Sequence, residues 1–157
     1  MYIERLTRTE LASDELFESV QEGAALRIEG DGVPSGRIHL DLAALESAGT
    51  VGFSVYDPWR HEQVYYSGVL LRDVLSHCID YDRVSQLVVV GLDGYSAVID
   101  AEVLDEWPVL LATRCEGARM SVGSGGPTRI ILPYDRYPNL ADARTISVWN
   151  IESVRIQ

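Results

Sequence analysis

The chain has no lysine. All 13 basic residues are arginine, set against 24 aspartates and glutamates for a net charge of −11. Such a surface repels phosphate backbones and anionic lipid, which argues against nucleic-acid and membrane binding. Long apolar runs are missing too, and nothing approaches the roughly 18 consecutive apolar residues of a membrane span. The opening stretch, MYIERLTRTELASDELFESV, is charged and lacks the apolar core of a signal peptide, so it reads as cytoplasmic. Cysteine is scarce: Cys78 and Cys115 form no C-x-x-C pair and are expected as reduced, mostly buried thiols. Their pairing would require an oxidising compartment. His39, His61 and His77 are widely separated and form no H-x-x-H, so no metal site is expected. No G-x-S-x-G elbow supports a hydrolase.

What remains is one ordinary domain. The chain has 157 residues, 46% of them hydrophobic, without an internal repeat or a Pro/Gly/Ser linker. Residues 1–157 read as a single unit: an N-terminal helical extension over 1–23 and a core over 24–157. Leu11, Leu16, Phe17 and Val20 share one helical face, and Gly23 stops that helix. ALRIEG predicts a strand. Asp41 is a good N-cap for a short helix, LAALESA, ended by Gly49. Val51 to Tyr56 predicts a strand, and VLLRDVLSHCI an amphipathic helix. QLVVVGL, GYSAVI, PVLLAT and TRIIL are β-branched runs bounded by turn signals, with LDGYS as a hairpin turn. Asp100 is expected to cap one further helical turn, AEVLDEW. TISVW and SVRIQ predict two closing strands. The expected class is α+β, mostly β, with mixed, barrel-like sheets and a few short helices.

One loop stands out for chemistry. In SVGSGGPTR the glycines let the backbone approach a ligand, with Arg129 close behind. By itself this loop also reads as a plain turn between two strands.

Five segments, taken together, carry a family resemblance. They are FSVYDPW (53–59), YSGVLLRDVL (66–75), GYSAVIDAEVL (94–104), VLLATRCEGARM (109–120) and GGPTRIILPYD (125–135). In this order and spacing the chain resembles the molybdopterin-binding domain of the sulfite oxidase family. The resemblance implies that fold, and a cofactor-holding G-x-P-x-R segment matched by Gly125, Pro127 and Arg129. Metal-holding members carry a cysteine in an F-x-C-x-x-x-W pattern; the matching residue here is Val55, whose isopropyl group cannot ligate molybdenum. Where relatives often follow an aromatic residue with lysine, this chain reads Tyr134–Asp135. A carboxylate for a cation at a phosphate-bearing site costs on the order of 1 kcal/mol or more.

Both departures imply a scaffold that holds a flat heterocycle without transforming it. A thiol from Cys78 or Cys115 reaching the cleft beside residue 55 would reverse that reading. A pterin without molybdenum is the ligand the resemblance suggests. Its ring edge suits a carboxylate and its faces suit aromatic or arginine planes, each stacking contact contributing roughly 0.5–1.5 kcal/mol. The expected ligand residues are Asp57, Trp59, Arg114, Gly125, Arg129, Tyr134 and Asp135, with none catalytic and none binding a metal. The stretch from Leu26 to Ile156 also resembles small stand-alone bacterial members, some of them pterin-binding regulators of an enzyme making or degrading cyclic di-GMP. That resemblance implies such an enzyme, or a sensor protein, as partner, and a periplasmic location if a signal peptide is removed. Two other readings stay open: a ligand-free protein-interaction module, and a molybdopterin-dependent oxidoreductase.

Overall fold

The computed structural model describes residues 3–5 and 25–157. The helix expected over residues 9–22 lies outside the described residues. Eleven strands among the described residues build two sheets. The first has the order β1 (Glu4–Arg5), β4 (Val51–Asp57), β5 (Glu62–Leu70), β8 (Leu110–Cys115), β10 (Arg129–Ile131), with β9 (Ala118–Arg119) also on β8. The second runs β3 (Arg37–Leu40), β2 (Leu26–Gly30), β11 (Ile151–Ile156), β6 (Gln86–Gly91), β7 (Ser96–Asp100). All pairings are antiparallel except β2 with β11, so the second sheet is mixed. Four short helices join them: α1 (Leu42–Glu46), α2 (Leu71–Cys78), α3 (Ala101–Glu106) and α4 (Leu140–Ile146). No helix among the described residues is long and apolar enough to cross a membrane.

Local chemistry explains most boundaries. Asp41 Oδ1 accepts from the Ala44 amide at 2.7 Å, satisfying one of the unpaired donors that open α1. Gly94, at φ +89°, makes the β6–β7 turn, a conformation that costs a side-chain-bearing residue more than glycine. Asp100 precedes α3, but its side chain makes no capping bond.

Two expectations need correction. The helix predicted from Val69 begins only at Leu71: Gly68, Val69 and Leu70 pair with Ala112, Leu111 and Leu110 and so extend β5. The segment TISVW is not a strand. Thr145 and Ile146 end α4, which Asn139 starts by accepting from the amides of Ala141 and Asp142. β-branched composition suggested the strand, and the cap upstream outweighed it.

One hydrophobic cluster holds the sheets and helices together, and Val55 belongs to it, only 1% exposed. A register shift between Ser67 and Gly68 interrupts the β5–β8 ladder. Gly68 is needed there, because a Cβ would stand 2.1 Å from the Leu111 carbonyl oxygen. Beyond this bulge Tyr66 is opposite Cys115 and Ser67 opposite Arg114. Neighbouring residues of a strand face opposite ways, so Cys115 shares a face with Tyr66 while Arg114 turns to the other.

Candidate functional site

Arg129 is the centre of the candidate site. It opens β10 and is 3% exposed, yet its Nε and Nη2 have no hydrogen-bond partner. Nη1 donates to the Tyr66 hydroxyl at 3.3 Å, and that hydroxyl donates to Asp57 Oδ2 at 2.7 Å. The guanidinium lies 4.1 Å from the Trp149 ring centroid, 5.3 Å from Tyr66 and 5.6 Å from Trp59. Aromatic faces therefore meet much of its charge, and Asp57 meets more of it through the tyrosine. Burial, with the bond to Asp57 adding, pushes the Tyr66 hydroxyl well above the usual tyrosine range, so it stays a donor. A buried cation with two idle donors is costly unless something polar meets them.

A cavity of about 390 Å³ opens beside this group, lined by Arg60, Tyr66, Cys115, Arg119, Met120, Gly123, Ser124, Arg129 and Trp149. Three arginines and no carboxylate line it, in a chain whose net charge is −11. Arg119 stands opposite Arg114 in the β8–β9 pairing and its guanidinium is held by Glu46 on that face, so it brings the cavity little charge; Arg60 pairs with Glu62 at 3.0 Å while Nη1 donates to Cys115 Sγ at 3.4 Å. The loop after β9 forms one wall. Asn150 pins it, donating from Nδ2 to the Val122 and Gly126 carbonyl oxygens. The backbone amide of Asn150 donates to Gly125 O at 2.8 Å.

Gly125 sits at φ +99°, and a Cβ there would stand 3.0 Å from Arg129 Cδ and 3.3 Å from Nη1. Gly125→Ala is therefore expected to cost about 1–2 kcal/mol of stability, from the left-handed backbone and the crowded guanidinium together. A urea melt checks this, and an unchanged midpoint would show that the loop simply moves aside.

The other expected residues are distributed differently. Asp57 is fully buried and committed to its own loop: Oδ1 accepts from the amides of Trp59 (2.8 Å) and Arg60 (3.0 Å), Oδ2 from Tyr66. It shapes the D-P-W turn and has no idle edge to offer a heterocycle. Trp59 stands behind Trp149 in an edge contact, ring centroids 5.3 Å apart, rather than in the lining. Tyr134 backs Trp59 in turn, and its hydroxyl meets Ser147 at 2.8 Å. Burial pushes that hydroxyl up to about 12. Arg114 lies on the opposite face of the sheet, paired with Glu46 at 3.1 Å. Asp135 is exposed and outside the lining. Of the seven, Arg129 alone lines the cavity and Gly125 shapes it from behind.

Tyr66, Cys115 and Trp149 are the residues that sequence reasoning missed. Tyr66 and Cys115 face each other across β5 and β8, so a strand pairing was the missing signal. Trp149 was hidden because its segment was read as strand.

A family model described as the oxidoreductase molybdopterin binding domain matches residues 39–136. The chain belongs to that family. Among solved structures it is similar to the sulfane dehydrogenase SoxCD from Paracoccus pantotrophus, with a TM-score of 0.66 at 15% identity. That similarity covers 85% of this chain and 38% of the SoxCD chain, so the domain spans well under half of that protein. No curated protein matches the sequence.

Membership implies a pterin-like small-molecule ligand, and the residues present fit only part of molybdopterin. The idle donors of Arg129, the flat ring of Trp149 and the glycine wall suit a planar group bearing an acceptor or an anionic edge. The metal finds no thiol at residue 55, which is packed in the core. A sulfur does reach the cavity, that of Cys115. It is two strand spacings and two residues along from Val55, on the order of 12 Å away. The site fits the organic part of the cofactor and does not fit its metal.

Proposed function

We propose that this domain binds a pterin or a similar planar heterocycle without carrying out redox chemistry on it, and that occupancy of the cavity is passed to a protein partner. The observation that carries the proposal is Arg129, whose Nε and Nη2 stand buried and idle beside an open cavity faced by Trp149. Both atoms are closed to solvent as the side chain stands, so a ring carbonyl, carboxylate or phosphate would reach them once Arg129 turns toward the cavity, and would then remove the penalty of leaving them unpaired. The non-catalytic half rests on Val55. The regulatory half rests on this chain's resemblance to short stand-alone members, some of which are pterin-binding regulators of cyclic di-GMP enzymes.

Titration with reduced and oxidised pterins should quench tryptophan fluorescence as the ring approaches Trp149. Arg129→Gln is expected to weaken binding about tenfold or more, the value of one charge-assisted pair. Silence up to millimolar pterin would remove the reading. Stoichiometric molybdenum in protein purified from its native host would overturn the non-catalytic half.

A further inference from the structure

The second sheet ends in an open strand. β7 pairs on one side with β6, and its five residues, SAVID, include neither a basic residue nor a proline. Proteins usually blunt such edges with lysine, proline, a bulge or a covering segment. Two other edges here are guarded in that way: on β10 the Ile130 amide donates to Val148 O at 2.9 Å, and β3 carries Arg37 and His39.

The ends of the β6–β7 ladder fix which way each backbone group of β7 points. Gly91 N donates to Tyr95 O at 2.8 Å, and Ala101 N donates to Ser85 O at 3.0 Å. Bonded and unbonded pairs alternate along an antiparallel ladder, and this one has no register shift between Gln86–Asp100 and Val90–Ser96. Ala97 and Ile99 therefore turn their backbone groups to β6, while Ser96, Val98 and the Asp100 amide turn theirs outward. Among the described residues no hydrogen bond from beyond β6 and α3 reaches these outward groups. Helix α4 meets β7 from the core side, where Tyr95, in phase with the buried Ala97 and Ile99, donates its hydroxyl to Thr145 O at 2.6 Å. On the opposite face Val98 is 52% exposed, beside its cross-strand partner Val88.

We infer that β7 pairs with β7 of a second copy, antiparallel about a two-fold axis at Val98, so that two five-stranded sheets become one. The edge is complementary to itself. With all of SAVID overlapped, Val98 faces the partner's Val98, and Ser96 faces the partner's Asp100, hydroxyl to carboxylate. The paired residues all belong to the outward set, so each outward amide meets a carbonyl. A register centred on Asp100 would instead set two carboxylates against each other. The contact is small and each copy carries a charge of −11, so the dimer is weak and salt favours it.

Sedimentation velocity on the full chain, from about 1 µM to about 1 mM, should show a reversible monomer–dimer equilibrium. Its midpoint is expected on the order of 100 µM, tightened several-fold by about 0.5 M salt. Val98→Lys sets two ammonium groups opposite each other and should weaken the dimer about tenfold or more without lowering the melting temperature. Hydrogen exchange on the unmodified chain gives a second readout. Raising the concentration should protect the amides of Ser96, Val98 and Asp100, while those of Ala97 and Ile99, already bonded to β6, stay as they are. A chain still monomeric at about 1 mM, a dimer that Val98→Lys leaves intact, or protection without this alternation would overturn the inference. So would protection of the outward amides only when a different protein is added. No readout here uses a pterin, so the ligand reading and the paired edge can fail separately.

Discussion

Replacing Glu46 with alanine should lower the unfolding free energy by about 3–5 kcal/mol, a loss of roughly 10 °C in melting temperature for a domain of this size. Glu46 closes α1 and meets both Arg114 and Arg119, all three side chains 7% exposed or less. Thr113 Oγ1 donates to the same carboxylate at 2.8 Å. Burial pushes the Glu46 carboxyl up to about 6, so at neutral pH it remains ionised against the guanidiniums. Removing it takes from two buried cations a carboxylate they share, a larger penalty than losing a surface pair. Glu62→Ala is the comparison: its pair with Arg60 is about half-exposed on both sides, and the expected change is below about 1 kcal/mol. Thermal melts of the two variants decide the matter, and equal midpoints would show that the Glu46 cluster carries little of the stability.

Arg129→Met should leave stability intact or slightly raised while weakening binding strongly. Methionine keeps much of the volume among Trp59, Tyr66 and Trp149 and makes favourable contacts with aromatic rings. It also removes a buried charge with two idle donors, so the unfolding free energy should hold or rise by about 1 kcal/mol. Pterin affinity should fall about a hundredfold, since charge and directed donors vanish together. Urea melts beside a fluorescence titration give both numbers. A loss of more than about 3 kcal/mol would mean that Arg129 is structural, and the idle nitrogens would then cease to indicate a ligand.

The fold was legible wherever local chemistry and long-range packing agree. Asp41 before LAALES, the D-G turn after QLVVVGL and the β-branched runs of β6, β7, β8 and β10 all read correctly. The errors came where two elements abut without a break. Val69 and Leu70 suit a helix as well as a strand, and only their partners on β8 decide it. Thr145 and Ile146 look like strand residues, but Asn139 upstream decides for helix. The site was harder to read. Arg129 was visible because a glycine-rich loop and a family pattern both point to it. Arg114, Trp59 and Asp135 were chosen for lying near matching segments, and nearness in sequence does not tell which face of a sheet a side chain takes. Asp57 illustrates a second limit: its chemistry suits a ligand edge, but its own backbone amides claim the oxygen first.

The parallel partnership of β2 with β11 carries a consequence for biosynthesis. β11 lies between β2 and β6, so the middle of its sheet stays vacant until residues 151–156 leave the ribosome. Trp149 and Asn150 directly precede that strand, and they supply the aromatic floor of the cavity and the clasp of its glycine wall. A nascent chain can thus assemble much of the other sheet early, but it gains a competent pocket only after residues 149–156 have emerged.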